Sequence, residues 1–321
     1  MISKSSLSGK YKLQIHKSNG QLKKELEFDN MILNSAWTLN VTSLGFHFSN
    51  FHLGTGTTPP QFTDTTLEAR VVSSNRGHTN YLGFPTVDYA NFRATYSVGY
   101  QFTPGQATGT FTEVGVGALA NGTNLFSRSL IKDSNGNPTS ITILADEYLT
   151  IVYSFIFQSP TEDIPFTCTV KNQVYNGFMR TVGWNESYHA SWPKPSLNLL
   201  FLNFLYDNFS HSGEALTAIV NGPAIDKTSF VYGGILPNGI NLEGRYTKGS
   251  RLIENDNFTR TFNLTLGPSV WSGNFRTIIF SGSSAPHSCT GAAVQVDFGN
   301  TITKTNTEQL TMSIKHIITR V

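Results

Sequence analysis

The sequence predicts an all-β protein of two tandem β-sandwich-like domains, with short helical turns between some strands. Three observations carry that prediction. Segments with apolar residues at every second position recur along the chain, separated by Gly, Pro and Asn clusters, which is the pattern of half-buried strands and tight turns. The length of 321 residues is that of two domains at about 150 residues each. Several strand-like blocks of the first half recur in the same order in the second.

The elements follow in chain order. Tyr11-Lys-Leu-Gln-Ile-His-Lys17 and Leu22-Lys-Lys-Glu-Leu-Glu-Phe28 alternate around Asn19-Gly20, which predicts a hairpin closed by a type I′ turn. The segment Asp29–Trp37 reads as a short helix packing Ile32, Leu33 and Trp37 inward. Phe51-His-Leu-Gly-Thr-Gly-Thr-Thr-Pro-Pro60 reads as a strand running into a loop, because two glycines and a proline pair cannot continue a ladder. Thr65 and Glu68 have capping-box spacing, which predicts one or two helical turns over 63–71. From Arg93 onward strand follows strand: 93–102, 109–116, 125–131, 141–144 and 148–157, with the turn-rich Asp133-Ser-Asn-Gly-Asn-Pro138 among them.

The repeat places Leu149–Phe157 beside Leu310–Ile318, Ala94–Pro104 beside Arg260–Pro268, and Gly109–Gly115 beside Ser272–Ile278. Thr66–Val71 more weakly matches Ala215–Val220. Between the halves, Gln158-Ser-Pro-Thr-Glu-Asp-Ile-Pro165 is polar and carries two prolines, as a boundary does. The expected domains are residues 1–160 and 161–321, the second a diverged duplicate of the first.

Composition narrows the function classes. Charged residues are 14% of the chain and the formal charge is +2, without the dense Lys/Arg patch that nucleic-acid binding requires. The most apolar stretch, Leu197–Tyr206, is interrupted by Asn198 and Asn203 and falls well short of a membrane span, so no membrane insertion is expected. The first twenty residues lack the apolar core of a signal peptide, which predicts folding in the reducing cytoplasm of the producing cell. Cys168 and Cys289, far apart in sequence, then read as free buried thiols.

A search for chemistry finds little assembled. The local carboxylate pairs Asp146-Glu147 and Glu162-Asp163 put adjacent side chains on opposite faces of a strand and read as turn caps rather than a glycosidase pair. His287-Ser-Cys289 lacks the further ligands zinc needs. The Gly54/Gly56 loop lacks the Gly-Lys-Ser/Thr end of a phosphate loop. No catalytic residue, metal ligand or cofactor site is therefore expected. The densest aromatic segment is Trp184-Asn-Glu-Ser-Tyr-His-Ala-Ser-Trp192. Trp184, Tyr188, His189 and Trp192 are read either as core packing or as an interface or glycan-stacking contact.

A series of motifs in the first half, over about residues 9 to 160, carries a resemblance. It runs from the hairpin and Asn30-Met-Ile-Leu-Asn34 through Leu53-Gly-Thr-Gly-Thr-Thr-Pro-Pro60 and Thr63-Asp-Thr-Thr-Leu67. It continues with Glu113-Val-Gly-Val-Gly117, Leu125-Phe-Ser-Arg-Ser-Leu-Ile131 and the closing strand 148–153. In this order the motifs resemble bacteriophage virion proteins of the tail and tail-fibre-associated kind. The second half has neither the Gly-Thr-Gly loop nor the Leu-Phe-Ser-Arg block.

The resemblance implies a non-enzymatic structural component of the virion, made in the host bacterial cytoplasm. It implies contacts with other virion proteins, symmetric homo-oligomers and, through host attachment, a host surface receptor. A capsid decoration or head-fibre protein and a host-surface glycan-binding module are the alternatives. The motif residues themselves suit scaffolding: Gly54 and Gly56 allow close backbone approach, Asp64 and Thr65 can satisfy free amides, and Arg128 can pair with Glu113 across a sheet.

Overall fold

The computed structural model describes residues 1–38, 48–88, 91–185, 214–224, 230–232, 246–256, 259–268, 272–280 and 290–321. The fold is all-β. The chain divides into two compact units, the amino-terminal one comprising Ser6–Thr86, Thr95–Phe157 and Arg320–Val321. The carboxy-terminal one comprises Met1–Ser5, Val87–Ala94 and Gln158–Thr319. A contiguous cut after residue 160 differs from this at four short segments: residues 1–5, 87–94 and 158–160 belong with the second unit and residues 320–321 with the first.

In the first half the strands are β1 (Ile2–His16), β2 (Leu22–Asp29), β3 (Met31–Ile32), β4 (Asn50–Gly54), β5 (Arg70–Ser74) and β6 (Gly77–Asp88). They continue with β7 (Arg93–Phe102), β8 (Gly109–Phe111), β9 (Glu113–Gly117), β10 (Leu125–Leu130), β11 (Ile141–Ile143) and β12 (Tyr148–Gln158). One sheet has the order β3-β10-β9-β4-β5, another runs β1-β12-β7-β6 with β2 beside β1, and β8 pairs β11.

Alternation decides which side of β1 is buried. Tyr11, Leu13 and Ile15 are in the core, while Lys12 and Gln14 face Glu25 of β2 at 3.0 and 2.8 Å. Strands β4, β9 and β10 are buried along their whole length, as expected for the inner strands of a layered core. Aromatic rings pack there: Phe126 of β10 meets Phe155 of β12 at 5.3 Å and Phe48 at 4.8 Å, both edge-on, and Tyr11 of β1 meets Tyr153 of the adjacent β12 at 5.1 Å. The buried Tyr11 hydroxyl shares a 2.6 Å hydrogen bond with Ser127 Oγ, which spares it an unpaired polar atom in the core.

Three local expectations are corrected. The β1–β2 hairpin turns at Lys17–Gly20, closed by the Gly20 N–H to the Lys17 carbonyl, and Gly20 at φ 85° stands in the left-handed region without Asn19. That is a turn ending in a left-handed glycine, not type I′, which needs two successive positive φ angles. The helix expected over 29–37 contracts to one turn, α1 (Ser35–Thr38), because Met31–Ile32 is taken up by pairing with β10. Residues 63–69 form no helix, because Glu68 is drawn away to the amides of Thr57 and Thr58.

The second half contributes β13 (Ile164–Val170), β14 (Gln173–Asn185), β15 (Glu214–Val220), β16 (Phe230–Tyr232), β17 (Tyr246–Asp256), β18 (Thr259–Leu266), β19 (Gly273–Phe280), β20 (Thr290–Lys304) and β21 (Leu310–Arg320). Their order is β13-β14-β20-β19-β15-β17-β18-β21, with β16 parallel to β14. The core includes Tyr175, Met179, Phe275, Ile278, Val296 and Phe298. Residues 1–5 lie along β21 in parallel fashion: Met1 donates to Ser313 and accepts from the Lys315 N–H.

The blocks matched by the internal repeat fare differently. The β7 and β12 blocks are neighbouring strands, as are the matching β18 and β21 blocks. Of the other blocks, Gly109–Gly115 covers β8, which pairs β11, and most of β9, which pairs β4 and β10, while its match lies on β19, which pairs β15 and β20; β5 pairs β4, and β15 pairs β17 and β19.

Candidate functional site: a buried arginine–carboxylate clamp

The aromatic segment singled out by sequence is placed only at its start. Trp184 sits near the end of β14, opposite Gly291 of β20 and Val231 of β16. Tyr188, His189 and Trp192 lie outside the described residues, as do His287 and Cys289. Cys168 is half-buried on β13, and burial raises its thiol pKa, which lowers its reactivity.

The carboxylate pairs are engaged elsewhere. Glu147 accepts from the Leu144 N–H at 2.9 Å and from Lys23 Nζ at 2.5 Å, the capping of a turn. Burial opposes ionisation of Glu147, yet Lys23 and the Leu144 amide hold its pKa below the ordinary value. Arg180 grips both oxygens of Asp163, at 2.7 and 2.6 Å.

The most constructed polar site of the described residues lies in the amino-terminal unit, where the motif residues of the first half meet. Glu113 opens β9 and is fully buried, and Arg128 on β10 is 3% exposed. Arg128 Nε donates to Glu113 Oε2 at 3.0 Å, its Nη1 to Asp64, and its Nη2 to the Thr58 carbonyl at 3.1 Å. Both Glu113 oxygens also take backbone amides: Gly56 at 3.0 Å and Ala69 at 2.8 Å on Oε1, Glu68 at 3.1 Å on Oε2.

The long β4–β5 connection is thereby folded onto the β9–β10 pair. Glu68 closes it further, accepting the amides of Thr57 and Thr58 at 2.7 Å each and the Thr58 hydroxyl at 2.7 Å. The Thr58 N–H is the first cause of the lowered Glu68 pKa, followed by the Thr58 hydroxyl. The Thr112 hydroxyl reaches the Gly56 carbonyl at 2.7 Å. Gly54 and Gly56 are required by this closeness, since a Cβ on either would lie 2.5 Å from Glu113 Oε1.

The carboxy-terminal unit has a smaller counterpart that sequence reading missed. Asp297 of β20 is buried and accepts from Arg276 Nε at 2.8 Å, the Ala224 amide at 2.8 Å and the Gly299 amide at 2.7 Å. In both places a buried carboxylate is compensated by one guanidinium and by backbone amides, and its acceptor positions serve loop closure.

His52 was also missed. It stands in the buried β4 strand, with Nδ1 at 2.6 Å from Ser73 Oγ and a buried Nε2 that meets no hydrogen-bond partner among the described residues. Burial, then the nearby Arg70 charge, lowers its pKa to about 4. An unfolded histidine titrates near 6.5, so between pH 6.5 and about 4 the unfolded state binds the extra proton. Stability from this residue is complete above pH 6.5 and falls as pH drops toward 4, by about 3 kcal/mol in all. Asn mimics the Nδ1 contact without titrating. Urea unfolding of His52→Asn at pH 7 and pH 4.5 is expected to show a pH difference about 2 kcal/mol smaller than that of the parent chain.

No protein-family model matches the chain, and neither a curated protein nor a solved structure matches it.

Proposed function

We propose that the chain is a structural component of a bacteriophage virion, associated with the tail at its tip, baseplate or fibre, and acting through protein–protein assembly contacts. One observation supports this reading above others. The residues carried by the ordered motif series, Gly54, Gly56, Asp64, Glu113 and Arg128, converge on a single clamp whose polar atoms are used in holding a loop to a sheet. Motifs spent on loop closure suit a scaffold that presents surfaces to neighbours. In a virion the partners are other structural proteins and further copies of this chain, repeated about closed axes.

Protein counting in purified particles tests the proposal. A small copy number in a whole-number ratio to the tail subunits is expected. Hundreds of copies per particle favour shell decoration instead, and absence from purified particles contradicts the virion role.

A further inference from the structure

We infer that β13 is a self-association edge, pairing antiparallel with β13 of a second copy about a two-fold axis at Cys168. This goes beyond the virion reading and does not depend on it, since it concerns the purified chain alone.

The argument begins at the β13–β14 hairpin. Its two loop residues, Lys171 and Asn172, have φ of 52° and 63°, the type I′ geometry, and Val170 faces Gln173 across the turn. The pair flanking such a two-residue loop is hydrogen-bonded, and hydrogen-bonded pairs alternate along an antiparallel ladder. The ladder from Val170↔Gln173 to Ile164↔Met179 has no register shift. Val170, Cys168, Phe166 and Ile164 therefore turn their backbone groups toward β14. Thr169, Thr167 and Pro165 turn theirs to the opposite edge.

That edge is open among the described residues: β13 ends the strand order, and Pro165, Thr167 and Thr169 are exposed. Edge strands are commonly guarded by charges and proline. Residues 164–170 carry no charge, and Pro165 is the sole guard. The charges at its ends are engaged within the chain, Asp163 by Arg180 and Lys171 by Glu308 at 2.7 Å, so the pairing rests on the backbone groups of the edge.

Register follows from the proline. Centred on Thr167, the pairing sets Thr169 opposite a Pro165 that has no N–H, leaving two Thr169 carbonyls unbonded. Centred on Cys168, it sets Thr167 against Thr169, and every outward N–H and carbonyl of both threonines is bonded. Cys168 then faces its own copy as a non-hydrogen-bonded pair, with Cα atoms about 4.5 Å apart, at the near end of the range that disulfides span, about 4.4 to 6.8 Å.

The test uses the full chain carrying Cys289→Ser, so that Cys168 is its single thiol. Sedimentation at micromolar concentration is expected to show a dimer. Diamide, which takes up the two hydrogens lost by two thiols, is expected to yield a Cys168–Cys168 linked dimer identified by peptide mapping. Thr167→Pro removes an outward N–H while leaving the β14 ladder intact, and is expected to raise the dimer dissociation constant at least tenfold. Thr167→Val, which keeps the N–H, leaves it unchanged. Thr169→Lys, which keeps every backbone group, places charge on the edge and weakens the dimer to a similar degree. A monomer, a dimer that diamide does not link through Cys168, or a dimer indifferent to both Thr167→Pro and Thr169→Lys overturns the inference.

Discussion

Glu113→Ala is expected to destabilise the amino-terminal unit by about 3–5 kcal/mol, the cost of breaking a buried ion pair from one side. The truncation removes the group that joins Arg128 to the amides of Gly56, Glu68 and Ala69. A guanidinium 3% exposed then keeps Asp64 and the Thr58 carbonyl but loses its buried counter-charge. Three amides lose their acceptor at the same time, and the buried one, that of Gly56, costs about 1–3 kcal/mol when left unsatisfied.

Glu113→Gln is the informative companion. It preserves shape and one carbonyl acceptor for Gly56 and Ala69, but turns an amide donor toward Arg128 and the Glu68 N–H. A loss between that of Ala and zero is expected. Arg128→Lys keeps the charge without the planar fork that spans Glu113, Asp64 and Thr58 at once. Urea unfolding followed by fluorescence measures all three, and a loss under about 1 kcal/mol for Glu113→Ala would show that the clamp does not hold the unit together.

Gly177→Ala is expected to have a comparable effect on the carboxy-terminal unit. A Cβ at this position of β14 would press into the Asp297 carbonyl oxygen, 3.0 Å from Phe298 Cα and 2.7 Å from the Phe166 ring. Two of these obstacles are backbone of the neighbouring β20, so relief requires separating the paired strands β14 and β20. The expected loss is about 3 kcal/mol or more, in the range of severe overpacking and strain. Gly136→Ala supplies the contrast. Gly136 has φ 81° but nothing within 4 Å of its would-be Cβ, so it carries the left-handed penalty alone, about 1–2 kcal/mol. Thermal unfolding of the two variants separates steric from conformational cost. Equal shifts would mean that the close approach at Gly177 is relieved by small movements.

The difference between what the residues announce and what they hide has a physical basis. Alternation is a local property, and β1 shows it plainly in Tyr11, Leu13 and Ile15. The pairing of Arg128 with Glu113 was legible because both lie on strands that follow one another in the chain and pair antiparallel. The role of Asp64 was not, since the loop reaches Arg128 only once β4 and β9 are paired. Thr65 and Glu68 misled for the same reason: four residues cannot distinguish a capping glutamate from one that captures the amides of Thr57 and Thr58 across a loop. His52 and Asp297 sit singly in strand-like stretches, and a lone polar residue in such a stretch gives no sign of whether it is buried. The partners that compensate Asp297, Arg276 and the amide of Ala224, come from other segments of the chain.

The proposed role of this all-β chain as a structural part of a phage particle is open to antibody-gold labelling of purified, intact particles viewed by electron microscopy. Label confined to the tail, at a fixed position repeated from particle to particle, is expected. Particles that remain unlabelled, with the protein recovered only from the lysate, would contradict it.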